Sequence, residues 1–177
     1  SNMTSARVCM AVSCLYKDMR RLQSDCVQAF TQAYIDEDTF ITLPKTWWPQ
    51  SWHTRGFKDP VCRLLRALYG HPRAGDLWHL KLHNVLLQYE FVCIEGWPSI
   101  YYRRFPLVVN GVPKDELAII LVYVDDLLIF GSTVIDPIMS RIREQIEMED
   151  FTPLSKYLGC SHSVVVTVII FGRMMLY

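Results

Sequence analysis

The chain has 177 residues, with 18 Lys+Arg against 18 Asp+Glu and 51% apolar content. That length suits one compact domain, and that apolar share excludes wholesale disorder. Zero net charge excludes a polybasic nucleic-acid arm, so composition alone suggests a soluble enzyme domain without a nucleic-acid partner.

Ser1-Asn2-Met3 is set aside as a cloning remnant. Thr4 or Ser5 caps a helix predicted to reach about Lys17, with Val8, Ala11, Val12 and Leu15 on one apolar face. A short strand, Arg21–Cys26, carries Asp25 near its end, and Ala29–Ala33 makes one or two helical turns. Phe40-Ile41-Thr42-Leu43 reads as a strand stopped by Pro44, and Trp47–Lys58 as a loop. Cys62–Arg66 is a further strand before the breaker Gly70-His71-Pro72.

A long helix is predicted from Ala74 to Tyr89, with Leu77, Trp78, Leu82, Val85, Leu86 and Tyr89 as its stripe. Ser99–Phe105 is a strand, and Asn110-Gly111 is a loop or hairpin signal. Leu117–Tyr123 and Leu127–Phe130 are apolar strands around Val124-Asp125-Asp126. Ile135–Met148 is an amphipathic helix with Ile138, Ile142 and Ile146 inward, and Ser155–Cys160 and Val164–Phe171 are strands. The hairpin implies antiparallel pairing, so the fold class is α+β and not a doubly wound parallel sheet.

The six cysteines (Cys9, Cys14, Cys26, Cys62, Cys93 and Cys160) show no zinc or redox spacing, and most read as small core residues in a reducing compartment. No apolar run reaches the roughly 18 residues that span a bilayer.

Adjacent acids between two apolar strands are the most informative local feature. Two carboxylates about 4 Å apart repel by roughly 4 kcal/mol at an effective dielectric of ~20. A divalent cation would offset that repulsion, and Mg²⁺ favours a few carboxylate oxygens completed by water and phosphates. The plainer reading is a polar turn, since Asp favours turns.

The surrounding stretches decide between them. Tyr123-Val124-Asp125-Asp126 resembles the catalytic hairpin of reverse transcriptases. Upstream, Asp25-Cys26-Val27-Gln28-Ala29-Phe30 is similar to the first acidic motif of copia-type retrotransposon polymerases. Ile41-Thr42-Leu43-Pro44 sits where that family has an apolar strand ending in proline. Arg66-Ala67-Leu68-Tyr69-Gly70-His71-Pro72, with Ala74-Gly75 and Trp78, resembles its Leu-Tyr-Gly signature. Met148-Glu149-Asp150 and Tyr157-Leu158-Gly159 resemble the segment after its palm helix, so the likeness covers about residues 4–163.

The resemblance implies a right-hand polymerase palm, an antiparallel sheet with packed helices, with fingers and thumb incomplete. It implies two Mg²⁺ ions, or Mn²⁺ in their place, with Asp25 and Asp125 as principal ligands and Asp126 assisting. Phe30 would be the steric gate against a 2′ hydroxyl, and Tyr123 would lie beside the primer terminus. Gly70 and Gly75 would let backbone approach template or nucleotide. The family's Leu-Lys-Gln is replaced by His71-Pro72-Arg73, which leaves Arg73 as substitute for the glutamine contact. Trp47, Trp48 and Trp52 read first as a packed loop, with base stacking the alternative.

The implied partners are an RNA or DNA template-primer, dNTPs and the remaining polyprotein regions (fingers, thumb, ribonuclease H), with no membrane. The implied location is the cytoplasm, in a virus-like particle for an intact element, with the nucleus as alternative. Residues 164–177 depart from the family and read as an apolar tail. Three readings follow: a truncated polymerase palm, an inactive retroelement remnant that binds or scaffolds, and an unrelated metal-dependent hydrolase.

Overall fold

The computed structural model describes residues 3–157 and 160–161. The predicted strand Val164–Phe171, the tail 164–177, Leu158-Gly159 and His162 lie outside the described residues.

A six-stranded antiparallel sheet organises the chain. Its strands are β1 (Arg20–Asp25), β4 (Val92–Ile94), β5 (Trp97–Val109), β6 (Val112–Tyr123), β7 (Asp126–Gly131) and β8 (Thr152–Pro153). The spatial order is β4-β5-β6-β7-β1-β8. β8 ends the sheet with Pro153, a residue that an edge strand tolerates because it cannot donate to a ladder. Two small ribbons stand apart: β2 (Phe40–Thr42) with β3 (Val61–Arg63), and β9 (Lys156–Tyr157) with β10 (Cys160–Ser161). The α+β class with antiparallel pairing is therefore observed.

The central strands are apolar on both faces because helices cover both. Ala118, Ile120, Leu127 and Ile129 face α4 (Ala74–Gln88) and α5 (Asp136–Arg143). Leu77, Trp78, Leu82, Val85 and Leu86 of α4 are all buried there, as the stripe predicts. The alternate residues Ile119, Leu121, Leu128 and Phe130 face α1 (Met3–Ser13).

α1 corrects its prediction in length and face. It stops at Ser13, and its buried residues are Ser5, Ala6, Cys9 and Ser13, whereas Val8 and Leu15 are exposed. Small side chains let the helix lie close to the sheet, and size won over hydrophobicity. Met3, set aside from the sequence, belongs to α1 and packs against this core.

Three other predictions change. The loop 47–58 holds short helical pieces, a 3₁₀ turn Lys45–Trp47 and α3 (Gln50–Thr54). Pro44 and Pro49 precede them and pre-set the backbone. β5 and β6 run farther than predicted because Asn110 (φ 53°) and Gly111 (φ 77°) close their hairpin tightly, so that Val109 still pairs with Val112. α5 is shorter than its pattern. Ile142 and Ile146 are buried as predicted, but beyond Arg143 the chain turns to run beside β1, where Val27 N–H donates to the Glu147 carbonyl (3.0 Å). α2 (Ala29–Gln32) matches its prediction.

Candidate active site

The site forms where β1 ends against the β6–β7 hairpin. In the register of β1 and β7, Asp25 lies opposite Asp126. Tyr123 pairs with Asp126, so Val124 and Asp125 alone make the turn. One strand end and one tight turn thus bring Asp25 to the Asp125-Asp126 pair, a hundred residues later in sequence.

The turn is clamped from two sides. Trp78 of α4 donates its indole Nε1–H to the Val124 carbonyl at 2.6 Å. Cys26 N–H donates to the Asp125 carbonyl at 2.8 Å. Val124 has φ 56°, an uncommon state for a β-branched residue, and such strain persists only where surroundings impose it. On the outer side, Glu149 N–H donates to the Asp25 carbonyl (2.9 Å), and Ser24 Oγ donates to the Glu149 carbonyl (2.9 Å).

Electrostatics set this corner apart. Burial, then the charges of Asp125, Asp126 and Glu149, raises the Asp25 carboxyl above its ordinary range. Asp126 is raised by burial and by Asp125. The neighbouring Cys26 thiol is pushed up to about 12 by burial and the same carboxylates, which makes it an inert packing group. Among the described residues, no Lys, Arg or His forms an ion pair with Asp25, Asp125 or Asp126.

Three uncompensated carboxylates fit a hard divalent cation by donor type. Among the described residues no group of three or more His, Cys, Asp or Glu side chains is placed to hold a metal ion.

Beside the turn opens a cavity of ≈ 270 Å³, lined by Phe30, Gly75, Trp78, His79, Ser99, Val122, Tyr123 and Val124. It unites three residues singled out from sequence: Phe30, Gly75 and Tyr123. Phe30 is half-buried, and the Tyr69 ring backs it at 4.6 Å. Gly70 takes φ 95°, a conformation that favours glycine. Arg73 is not among the lining residues. Its guanidinium forms a two-pronged pair with Asp36 (2.6 and 2.9 Å), which holds the Asp36 carboxyl below its usual range.

Sequence reasoning missed Trp78 as the clamp on the turn, and Glu149, His79 and Ser99 as neighbours of the site. Trp78 shows in sequence as one member of an apolar stripe and of the stretch that resembles the Leu-Tyr-Gly signature. Nothing local says that its N–H meets a carbonyl on another element.

The chain belongs to the reverse transcriptase (RNA-dependent DNA polymerase) family, whose model matches residues 1–171. It is similar to retrovirus-related Pol polyproteins of plant transposons, in keeping with the copia type read from its motifs. It is 26% identical to that of transposon TNT 1-94 from Nicotiana tabacum, over 89% of this chain and 11% of the polyprotein. It is 28% identical to that of transposon RE1 from Arabidopsis thaliana, over 88% of this chain and 10% of the polyprotein. The RE2 polyprotein of the same plant is 25% identical over 88% of the chain. The chain thus spans about a tenth of the length of the curated relatives it matches. No solved structure matches it.

Proposed function

We propose that residues 4–163 form the palm of an RNA-directed DNA polymerase, which adds dNTPs to a primer 3′ end on an RNA or DNA template. The observation that carries this reading is the register that sets Asp25 opposite Asp126, with Asp125 in the clamped turn between β6 and β7.

Asp25 and Asp125 are the principal carboxylates for two Mg²⁺ ions, with Mn²⁺ as substitute, and Asp126 assists. When bound, such ions neutralise phosphate charge and activate the attacking hydroxyl. In the reaction the primer O3′ forms a bond to the α-phosphorus of the dNTP, the bond to the β-phosphate oxygen breaks, and pyrophosphate leaves. The chain's own part is positioning. The Trp78 and Cys26 hydrogen bonds fix the turn that carries Asp125. The Phe30 ring, braced by Tyr69, fills the space that a 2′ hydroxyl would need. Tyr123 packs at the primer terminus, and the absence of a side chain at Gly75 lets the nucleotide approach α4. Arg73 serves nucleotide binding by holding Asp36 at the start of α4, or by leaving it for a phosphate.

Fingers, thumb and ribonuclease H come from other regions of a Pol polyprotein, in a cytoplasmic particle or the nucleus. No helix among the described residues is long and apolar enough to cross a membrane. Residues 164–177 lie beyond the palm.

The test is templated extension of a primed RNA with Mg²⁺ and dNTPs, using this chain beside a version extended at both ends. Template-directed dNTP addition by either protein supports the proposal. Absence of addition by both, with intact folding, overturns it.

A further inference from the structure

Two of the chain's histidines, His79 and His83, stand four residues apart on α4. That spacing puts both side chains on one face of a helix, one turn apart. α4 buries Leu77, Trp78, Leu82, Val85 and Leu86, and the two histidines border that stripe on its solvent side. His79 is exposed and His83 is half-buried. Their ring centroids lie 6.0 Å apart, with 33° between the ring planes. An imidazole nitrogen binds a transition metal at about 2.0–2.1 Å, so one ion can bridge the two rings across that separation.

His83 is steadied from the sheet. Its Nδ1 lies 2.9 Å from the Tyr101 hydroxyl, and the two rings pack with centroids 5.7 Å apart. Tyr101 belongs to β5 and is buried, so this contact ties the α4 histidine to a fixed neighbour. With Nδ1 engaged by the phenol, Nε2 is the nitrogen left for a ligand. Metal-bound imidazoles characteristically have such a partner on the other ring nitrogen, which fixes both tautomer and orientation. A histidine that served packing alone would use the Tyr101 bond but not a second imidazole one turn away.

The donor type selects the ion. Imidazole suits Zn²⁺, Cu²⁺ and Ni²⁺, whereas Mg²⁺ takes oxygen ligands. Among the described residues no third His, Cys, Asp or Glu completes the pair, so the remaining positions fall to water.

We propose that His79 and His83 form a two-histidine site for a divalent transition metal of the Zn²⁺ class, completed by water and steadied by Tyr101. An ion there stands at the rim of the cavity beside the hairpin turn, because His79 lines that cavity with Phe30 and Tyr123. The site uses none of the three carboxylates and rests on no part of the polymerase reading.

Zinc binding to the reduced, metal-free full chain is measured by titration calorimetry in millimolar Mg²⁺, which occupies oxygen-rich sites. One zinc ion per chain is expected at this site. Loss of an outer partner of a metal-bound imidazole costs about 10–100-fold in affinity, and loss of the imidazole at least as much. His79→Ala and His83→Ala should therefore each weaken binding by about tenfold or more, and Tyr101→Phe, which keeps the ring, by about tenfold. Metal-free thermal melts check that each variant folds, and exposed His79 is the substitution least tied to packing. Zinc held by cysteines or by the carboxylates would be untouched by either histidine substitution. No zinc binding by the wild-type chain, or undiminished binding by both His79→Ala and His83→Ala, overturns the proposal.

Discussion

Asp25 and Asp126 are carboxyls that the fold makes reluctant to ionise, chiefly through burial and then through one another's neighbours. An acid raised in the folded state favours folding while protonated. Its contribution is full below the unfolded carboxylate range, near pH 4, and is lost as pH rises through the raised folded value. At neutral pH the metal-free protein therefore carries the repulsion in full. Asp126→Asn should raise Tm at pH 7, and the difference should vanish below about pH 4. Because the group is partly exposed and screened, the gain is about 1 kcal/mol or less, up to roughly 2–4 °C at this length. Millimolar Mg²⁺ should raise the wild-type Tm more than that of Asp25→Asn, in the same thermal-melt experiment.

Phe30 belongs to this scale too. If its ring excludes the 2′ hydroxyl, Phe30→Val should admit ribonucleotides. The check is the ratio of rNTP to dNTP incorporation in an active longer version, expected to rise by about tenfold or more. An unchanged ratio would make Phe30 a packing residue braced by Tyr69. The acids and Phe30 were legible in sequence because they lie in short ordered motifs. Arg73 was read from sequence as a substitute for a glutamine contact, and its bond to Asp36 depends on a loop that no pattern describes.

The hairpin and α4 act together as one element. The strands β6 and β7 announce themselves by β-branched runs, and α4 by its stripe. Beyond their shared packing, the indole N–H of Trp78, a residue that is 2% exposed, joins α4 to the Val124 carbonyl. Trp78→Phe keeps most of the packing and removes the donor. It should cost about 1–3 kcal/mol in urea unfolding, the price of an orphaned carbonyl plus lost contacts. It should also lower extension more than stability explains, with a raised Mg²⁺ requirement, because Asp125 follows the released carbonyl. α1 teaches the opposite lesson. Its apolar residues suggested one face, but close approach to the sheet selected Ala6 and Cys9 instead. Hydrophobic periodicity is a weak guide where small residues decide how near a helix can come.

At the scale of the whole molecule, neutrality at first argued against a nucleic-acid enzyme. The fold answers that locally: Asp25, Asp125 and Asp126 meet at the β1 end and the hairpin turn, whatever the net charge of the chain. The antiparallel α+β architecture was legible from the hairpin signals. Sheet order was not, since it depends on β1 inserting between β7 and β8 through long-range pairing. That insertion is what carries Asp25 to the hairpin. The central claim is that Asp25 and the hairpin acids act as one catalytic group. The most direct measurement is Mg²⁺-dependent primer extension by an active, longer version of the chain, compared with its Asp125→Asn variant at equal folded concentration. A rate lower by about 100-fold or more is the expected result, and undiminished extension would contradict the account.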